Sequence, residues 1–329
     1  MEAPFNLLEN KIMKGYNYEI KQMITGARIM DNAKPSNNHH SDDDQSPTAA
    51  EYCDKGRRNQ EHGNYSLALS DFKQALRLQE QETGLEHTDR AGIYNDIGIL
   101  YQEQGDYDKA LCYLQKSLTI EKNALGSRHP SIASTFNNIA GVYHDMADYD
   151  TAHSYYRQAL EILEQALRAD DSEIALIYNN ISDLLLDQKD YESALAYLVK
   201  ALKYKETALG AHHPSTAITY NNMGLAYHHK GEFAKSMYYN KMAMDIAEQV
   251  MGKEHLNTAI IYNNRGLVYE TQNDPEKALD WFTKSYHIMK TRLGATHPKT
   301  LTVKKNMQMV YGRLWDHGSF DTWINDKLN

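Results

Sequence analysis

A chain of 329 residues is longer than one ordinary core serves, which points to two domains or a repeat array. Its formal charge of −9 argues against a nucleic-acid partner, which needs clustered Lys and Arg. No apolar run reaches the roughly 18 residues of a membrane span, Met1 to Glu19 lacks a basic-then-apolar leader, and two cysteines form no disulfide framework, so a cytoplasmic setting is expected. Gly and Pro are scarce while Ala, Leu, Glu, Lys and Gln are plentiful, which predicts an almost wholly helical body.

In residues 1–30 the apolar positions Phe5, Leu8, Ile12, Tyr16, Ile20, Met23, Ala27 and Met30 are spaced 3, 4, 4, 4, 3, 4 and 3 apart. That spacing predicts an amphipathic helix with one narrow stripe. A stripe so regular must dock, onto the inner groove of its own chain, onto the edge of the first repeat, or onto a second copy by self-association. Residues 31–49, with Pro35, the run Ser36 to His40 and the run Ser41 to Asp44, are polar and read as a flexible linker. His39, His40 and Asp42 to Asp44 have the chemistry of metal ligands, but a linker does not preorganise a site, so no metal is expected.

From residue 50 to 302 the chain repeats. The segments beginning at Tyr94, Phe136, Tyr178, Tyr220 and Tyr262 start 42 residues apart, and Tyr52 keeps the register at the front. These make six repeats; residues 303–329, with Lys304 in register and Tyr311 seven residues on, form a partial seventh and a C-terminal cap. In each unit a first helix, such as Tyr94 to Gln102, breaks at a turn like Gln104-Gly105-Asp106. A second begins near Tyr107, with Ala110, Leu114 and Leu118 on one face. It ends at Leu125-Gly126, where a left-handed cap is expected, and His129-Pro130 opens the next unit. The same Gly recurs at Gly84, Gly210, Gly252 and Gly294, and His-Pro at His213 and His297, so these histidines read as turn packing. Trp315, Phe320 and Trp323 are expected to lie over the last apolar face as a short closing helix.

The pattern aromatic-x2-apolar-Gly-x2-Tyr, then Ala, a large apolar residue and Ala, resembles the tetratricopeptide repeat. With its 42-residue period and Leu-Gly-x2-His-Pro junction, the chain is similar to the longer variant of kinesin light chains and many bacterial repeat proteins. The resemblance covers residues 50 to about 314. It implies an all-α, right-handed superhelical solenoid of six tetratricopeptide-type hairpins plus a closing helix. Three places depart from it. Asn59 stands for the expected Tyr and Lys55 for an apolar residue, and the third unit ends Arg168-Ala169-Asp170-Asp171 without Gly or His-Pro.

In this family the first helix of each hairpin lines the concave side. The resemblance therefore places Asn95 with Asp96, Asn137 with Asn138, Asn179 with Asn180, Asn221 with Asn222, and Asn263 with Asn264 at the groove. Asn is a poor helix former, so its use in every unit needs a cause. One amide of each pair can lock neighbouring units, and the other can clamp an extended peptide backbone. Asp54, Glu61, Asp96, Glu103, Asp145, Asp183 and Asp187 map to the early groove and favour a partner with Lys or Arg. Leu225, Leu267, His228 and His229 supply an apolar, aromatic half later on. The chaperone-tail subtype of this family needs several cations; Cys53, Arg57, Asp96, Ser134 and Asn138 supply one, so that subtype is not expected. Cys53 and Cys112 read as packing residues. No phosphate loop, nucleophile elbow or His-Glu-x-x-His occurs, so no enzyme activity and no cofactor are expected. The expected function is a scaffold or adaptor that holds a protein or peptide in its groove under regulation by the N-terminal helix. The rival reading is a regulatory subunit that controls a separate effector enzyme such as a protease or kinase.

Overall fold

A computed structural model describes residues 47–83, 88–166, 171–315 and 319–328. The helix expected over residues 1–30, most of the linker, Gly84 and the turn at Arg168 to Asp170 lie outside the described residues. Among those described, the fold is an all-α solenoid of 14 helices without strands. Seven first-type helices, α1 (Ala49–Glu61), α3 (Thr88–Glu103), α5 (Pro130–Asp145), α7 (Asp171–Asp187), α9 (Pro214–His229), α11 (Leu256–Thr271) and α13 (Pro298–Leu314), alternate with second-type helices. These are α2 (Tyr65–Thr83), α4 (Tyr107–Leu125), α6 (Tyr149–Gln165), α8 (Tyr191–Ala208), α10 (Phe233–Val250), α12 (Pro275–Leu293) and α14 (Phe320–Leu328). By their contacts they form two compact units, divided in sequence between residues 177 and 178, inside α7.

The same local chemistry sets the helix boundaries in each unit. His129, His213, His255 and His297 are N-caps: each Nδ1 accepts from the backbone N–H two residues on, at 3.3, 3.2, 3.1 and 3.2 Å. The recurring His is therefore a cap, a use the sequence reading as turn packing did not specify; it satisfies an amide that the helix leaves unpaired. Second helices are capped by Asp106, Asp148, Asp190 and Asp274, which accept from the N–H three residues on. Gly126 and Gly294 do end helices, but not in the left-handed helical conformation expected. Their φ of 83° and 90° come with ψ of 157° and 162°, a region open essentially to glycine alone.

In residues 47–177, α2, α4 and α6 turn small and apolar residues toward their partners: Ala68 and Phe72, Ala110 and Leu114, Ala152 and Tyr156 are all buried. A Cβ on Gly98 would come 2.7 Å from Leu114 Cγ, so helix α3 approaches α4 as closely as only glycine allows. In residues 178–329 a continuous core joins Leu186, Leu195, Leu198, Met223, Leu225, Ile246 and Ile261. Each such side chain taken from water contributes roughly 1.5–3 kcal/mol. At the C-terminal end the Tyr311 ring lies 4.8 Å from Trp315, 5.5 Å from Phe320 and 5.3 Å from Trp323. Trp315 keeps an exposed face.

A second ladder runs beside the core. In three hairpins a ring of the second helix stacks on one of its partner: Tyr113 on Tyr101 at 5.6 Å, Tyr155 on Tyr143 at 5.7 Å, Tyr239 on Tyr227 at 5.4 Å. In the first hairpin the equivalent positions are Asn59 and Asp71, joined by a 2.7 Å hydrogen bond, with Lys55 paired to Asp71 at 3.2 Å. The two departures at Asn59 and Lys55 are thus one change, a ring stack replaced by a polar trio. Cys53 is buried, and burial pushes its thiol up to about 11, while Cys112 is exposed and corrects its reading as a packing residue.

Candidate functional site

The Asn ladder joins hairpin to hairpin. Asn138 Nδ2 donates to Asn95 Oδ1 at 2.7 Å, Asn264 to Asn221 at 3.0 Å, and Asn306 to Asn263 at 3.0 Å. The third residue of one repeat thus grips the second residue of the repeat before it. One repeat differs: Asn179 Oδ1 accepts from Thr219 at 3.3 Å, and Asn222 Nδ2 donates to Asp183 Oδ1 at 3.0 Å. Asn137, Asn179, Asn180, Asn221, Asn222, Asn263 and Asn264 are all buried. These side chains lie within the helix layer, and those bonded to one another staple it. Asn306 was missed, although it stands two residues after Lys304, where the register puts a third-position residue.

The acids of the early inner face are bonded across repeats too. Arg57 Nη2 meets Asp96 Oδ2 at 2.9 Å, Gln60 Nε2 donates to Glu103 at 3.0 Å, and Gln102 Nε2 to Asp145 at 2.7 Å. Burial pushes the Asp96 carboxyl up, and the Arg57 charge beside it pulls it down. Arg57 also meets Asp54 Oδ1, at 3.4 Å. The side chain of Glu61 lies outside the described residues. On α3 the positions Gly92, Asp96, Ile99 and Glu103 share one face at helical spacing, as do Ser134, Asn138, Gly141 and Asp145 on α5. Gly92 is exposed, Ser134 and Gly141 are half-buried, and Ile99 and Asn138 are buried, so this face is open only in part.

The equivalent face in residues 178–329 is closed. Asp183, Leu225 and Leu267 are buried, and Leu225 belongs to the core and not to an open apolar pocket. His228 Nε2 lies 3.0 Å from Thr271 Oγ1, and burial together with the neighbouring His229 holds its imidazole down to about 4. His229 stacks on Tyr191 at 5.5 Å. Nearby, Lys205 is fully buried: its Nζ donates to Ser215 O at 2.9 Å and Thr219 Oγ1 at 2.8 Å. Its position in the repeat is Gln79, Glu121, Leu163, Ala247 and Met289 elsewhere, so a cation stands there in this repeat alone.

The tetratricopeptide repeat family model matches residues 59–123, 89–165, 173–249 and 226–291, together more than half of the chain. The chain belongs to the tetratricopeptide repeat family. Among solved structures, BtubC (BKLC) from P. vanneervenii is 18% identical, with TM-score 0.54 over 64% of this chain and 84% of that one. A putative kinesin light chain of Podosopora anserina with nearly identical repeats is 17% identical, with TM-score 0.51 over 63% of this chain and 98% of that one. A Rap protein complexed with Competence and Sporulation Factor is 15% identical, with TM-score 0.54 over 81% of this chain and 75% of that one. At these identities the likeness is one of fold, and it agrees with the 42-residue kinesin-light-chain type of tetratricopeptide repeat. No curated protein matches the sequence significantly. No helix among the described residues is long and apolar enough to cross a membrane.

Proposed function

We propose that this tetratricopeptide repeat chain is a protein- or peptide-binding scaffold that holds an extended partner segment along the first-type helices of residues 47–166. The observation that carries this is the partly open face of α3 and α5, where Gly92 has nothing within 4 Å of an added Cβ and Ser134 is half-buried, beside Asp96, Glu103 and Asp145. The acidic side chains Asp54, Asp96, Glu103 and Asp145 favour a partner segment with Lys or Arg, and make the interaction fade as salt screens it. A Rap protein of similar fold is complexed with Competence and Sporulation Factor, which supports a binding role for this chain. The buried amides define the spacing of the helices that form it.

A random peptide library displayed on phage and selected on the full chain tests this. Enriched sequences should carry Lys or Arg, and their affinity should fall roughly tenfold for Glu103→Lys with Asp145→Lys, about 1.4 kcal/mol. Enrichment of neutral or acidic peptides, or unchanged affinity in the double variant, refutes the proposal.

A further inference from the structure

The sixth repeat carries a cation where the four before it carry an apolar side chain. The position is Ile97, Ile139, Ile181 and Met223 in those four, and Met307 keeps the register beyond them, but here it is Arg265 on α11. Tyr269 and Trp281, whose counterparts stack in three other hairpins, make no ring contact with each other. Arg265 serves both instead: its Cζ lies 5.8 Å from the centre of the Tyr269 ring and 4.9 Å from that of Trp281. Its Nε and Nη1 are buried and bond to nothing among the described residues. The first repeat also has a cation here, Lys55, and answers it with Asp71 at 3.2 Å, at the position Trp281 takes in the sixth. Leaving the donors of a buried cation unpaired is costly, and contact with two rings offsets only part of that cost. A charge kept where Met packs in the repeats on either side needs a use beyond packing.

Trp281 is also a wall of a cavity of about 640 Å³, within the size range of small-ligand sites. Tyr262 and Ile288 add apolar surface to it, and Lys253, Lys284 and Lys327 line it as well. The Tyr262 ring lies 5.2 Å from that of Trp281, tilted by 51°, and Lys284 Nζ stands 4.1 Å from the indole centre. Two acids share the lining, Glu248 and Glu254. Glu248 is already engaged, accepting from Tyr262 Oη at 2.7 Å and lying 3.9 Å from Lys253 Nζ. The cavity is thus rich in cations, with Arg265 in contact with its indole wall, in a chain whose net charge is −9. We propose that it binds a small anion carrying a flat aromatic ring, with the ring against Trp281 and Tyr262 and the anionic group toward Lys284 and Lys327. Aromatic walls favour a flat ring in offset or edge-on contact. A guanidinium without a counter-ion, desolvated beside such a wall, raises the potential that an anion meets there. A neutral ligand of the same shape gains only the ring contact, so charge is what the site selects. The cavity shares no residue with the face of α3 and α5 proposed above to hold a basic partner, so either reading can fail alone.

Equilibrium dialysis of the full chain against naphthoate, followed by the fluorescence of the ligand, tests this. Binding should saturate, and naphthamide, the neutral counterpart, should bind at least about tenfold more weakly. Lys284→Met should weaken naphthoate roughly tenfold with the helix intact, since Met242 holds the same repeat position on α10. Arg265→Met should weaken it by a similar factor while melting at or above the wild-type temperature, because the variant leaves no buried donor unpaired. Naphthoate binding that does not saturate, naphthamide bound as tightly, unchanged affinity in Lys284→Met, or a lower melting temperature for Arg265→Met would each overturn the proposal.

Discussion

Replacing Lys205 with Met should stabilise the protein at neutral pH and destabilise it in alkali. Burial lowers the Lys205 amine from 10.5 to about 7, against a smaller opposing pull from Asp183. The unfolded chain therefore binds a proton between pH 10.5 and 7 that the folded chain does not. Folding stability from this group is full above pH 10.5, falls as pH drops through that window, and levels off below about 7. The shift of about 3.5 units corresponds to at most about 5 kcal/mol at pH 7. Met removes that penalty, and Met289 shows that the repeat position accepts its shape. Against the gain, the variant loses the donor to Ser215 O and Thr219 Oγ1, a cost of about 1–3 kcal/mol. The expected net gain is about 2 kcal/mol at pH 7. From pH 7 to 9 the wild type should recover about 2.7 kcal/mol relative to the variant. Urea denaturation of both proteins at pH 7, 8 and 9 measures this, because other titrating groups cancel in the difference. A variant less stable at pH 7, by an amount constant to pH 9, would show that Lys205 is charged in the fold and held by Asp183, and would refute the reasoning.

Three more outcomes follow from the same geometry. Asn180→Ala with Asn222→Ala should lower the melting temperature while the helical signal at low temperature is retained, since losing the Asn222 donor leaves buried Asp183 short of a partner at about 1–3 kcal/mol; an unchanged melting temperature would show that the ladder does not hold the repeats together. Gly266→Ala should cost about 1–3 kcal/mol in thermal unfolding, because its Cβ would lie 2.6 Å from the Phe282 ring, and a neutral effect would mean the helix pair can separate freely. A thiol reagent at pH 8 should label exposed Cys112 rapidly and buried Cys53 at least about 100-fold more slowly, because a thiol pushed to about 11 is almost never ionised there; equal labelling rates contradict that placement.

The register of the sequence alone determined the fold class, because a 42-residue hairpin with one apolar face cannot bury that face except against its neighbours. The turn at Gly105, the start of α4 at Tyr107 and the positions of every Asn pair could be read directly, since local chemistry decides caps, turns and periodicity. What tertiary structure alone decided is where side chains of the same type end up. The sequence offers Asn138 and Asn95 as two groove amides; only the approach of adjacent helices turns them into one 2.7 Å bond. It offers Leu225 as an apolar groove residue, but whether such a side chain faces water or a neighbour depends on what lies across the layer. Asn59, Lys55 and Asp71 look like three separate exceptions along the chain and become one polar trio once the helices of the first hairpin meet. Spacing along a helix fixes the face a residue occupies, and only packing between helices fixes what that face touches.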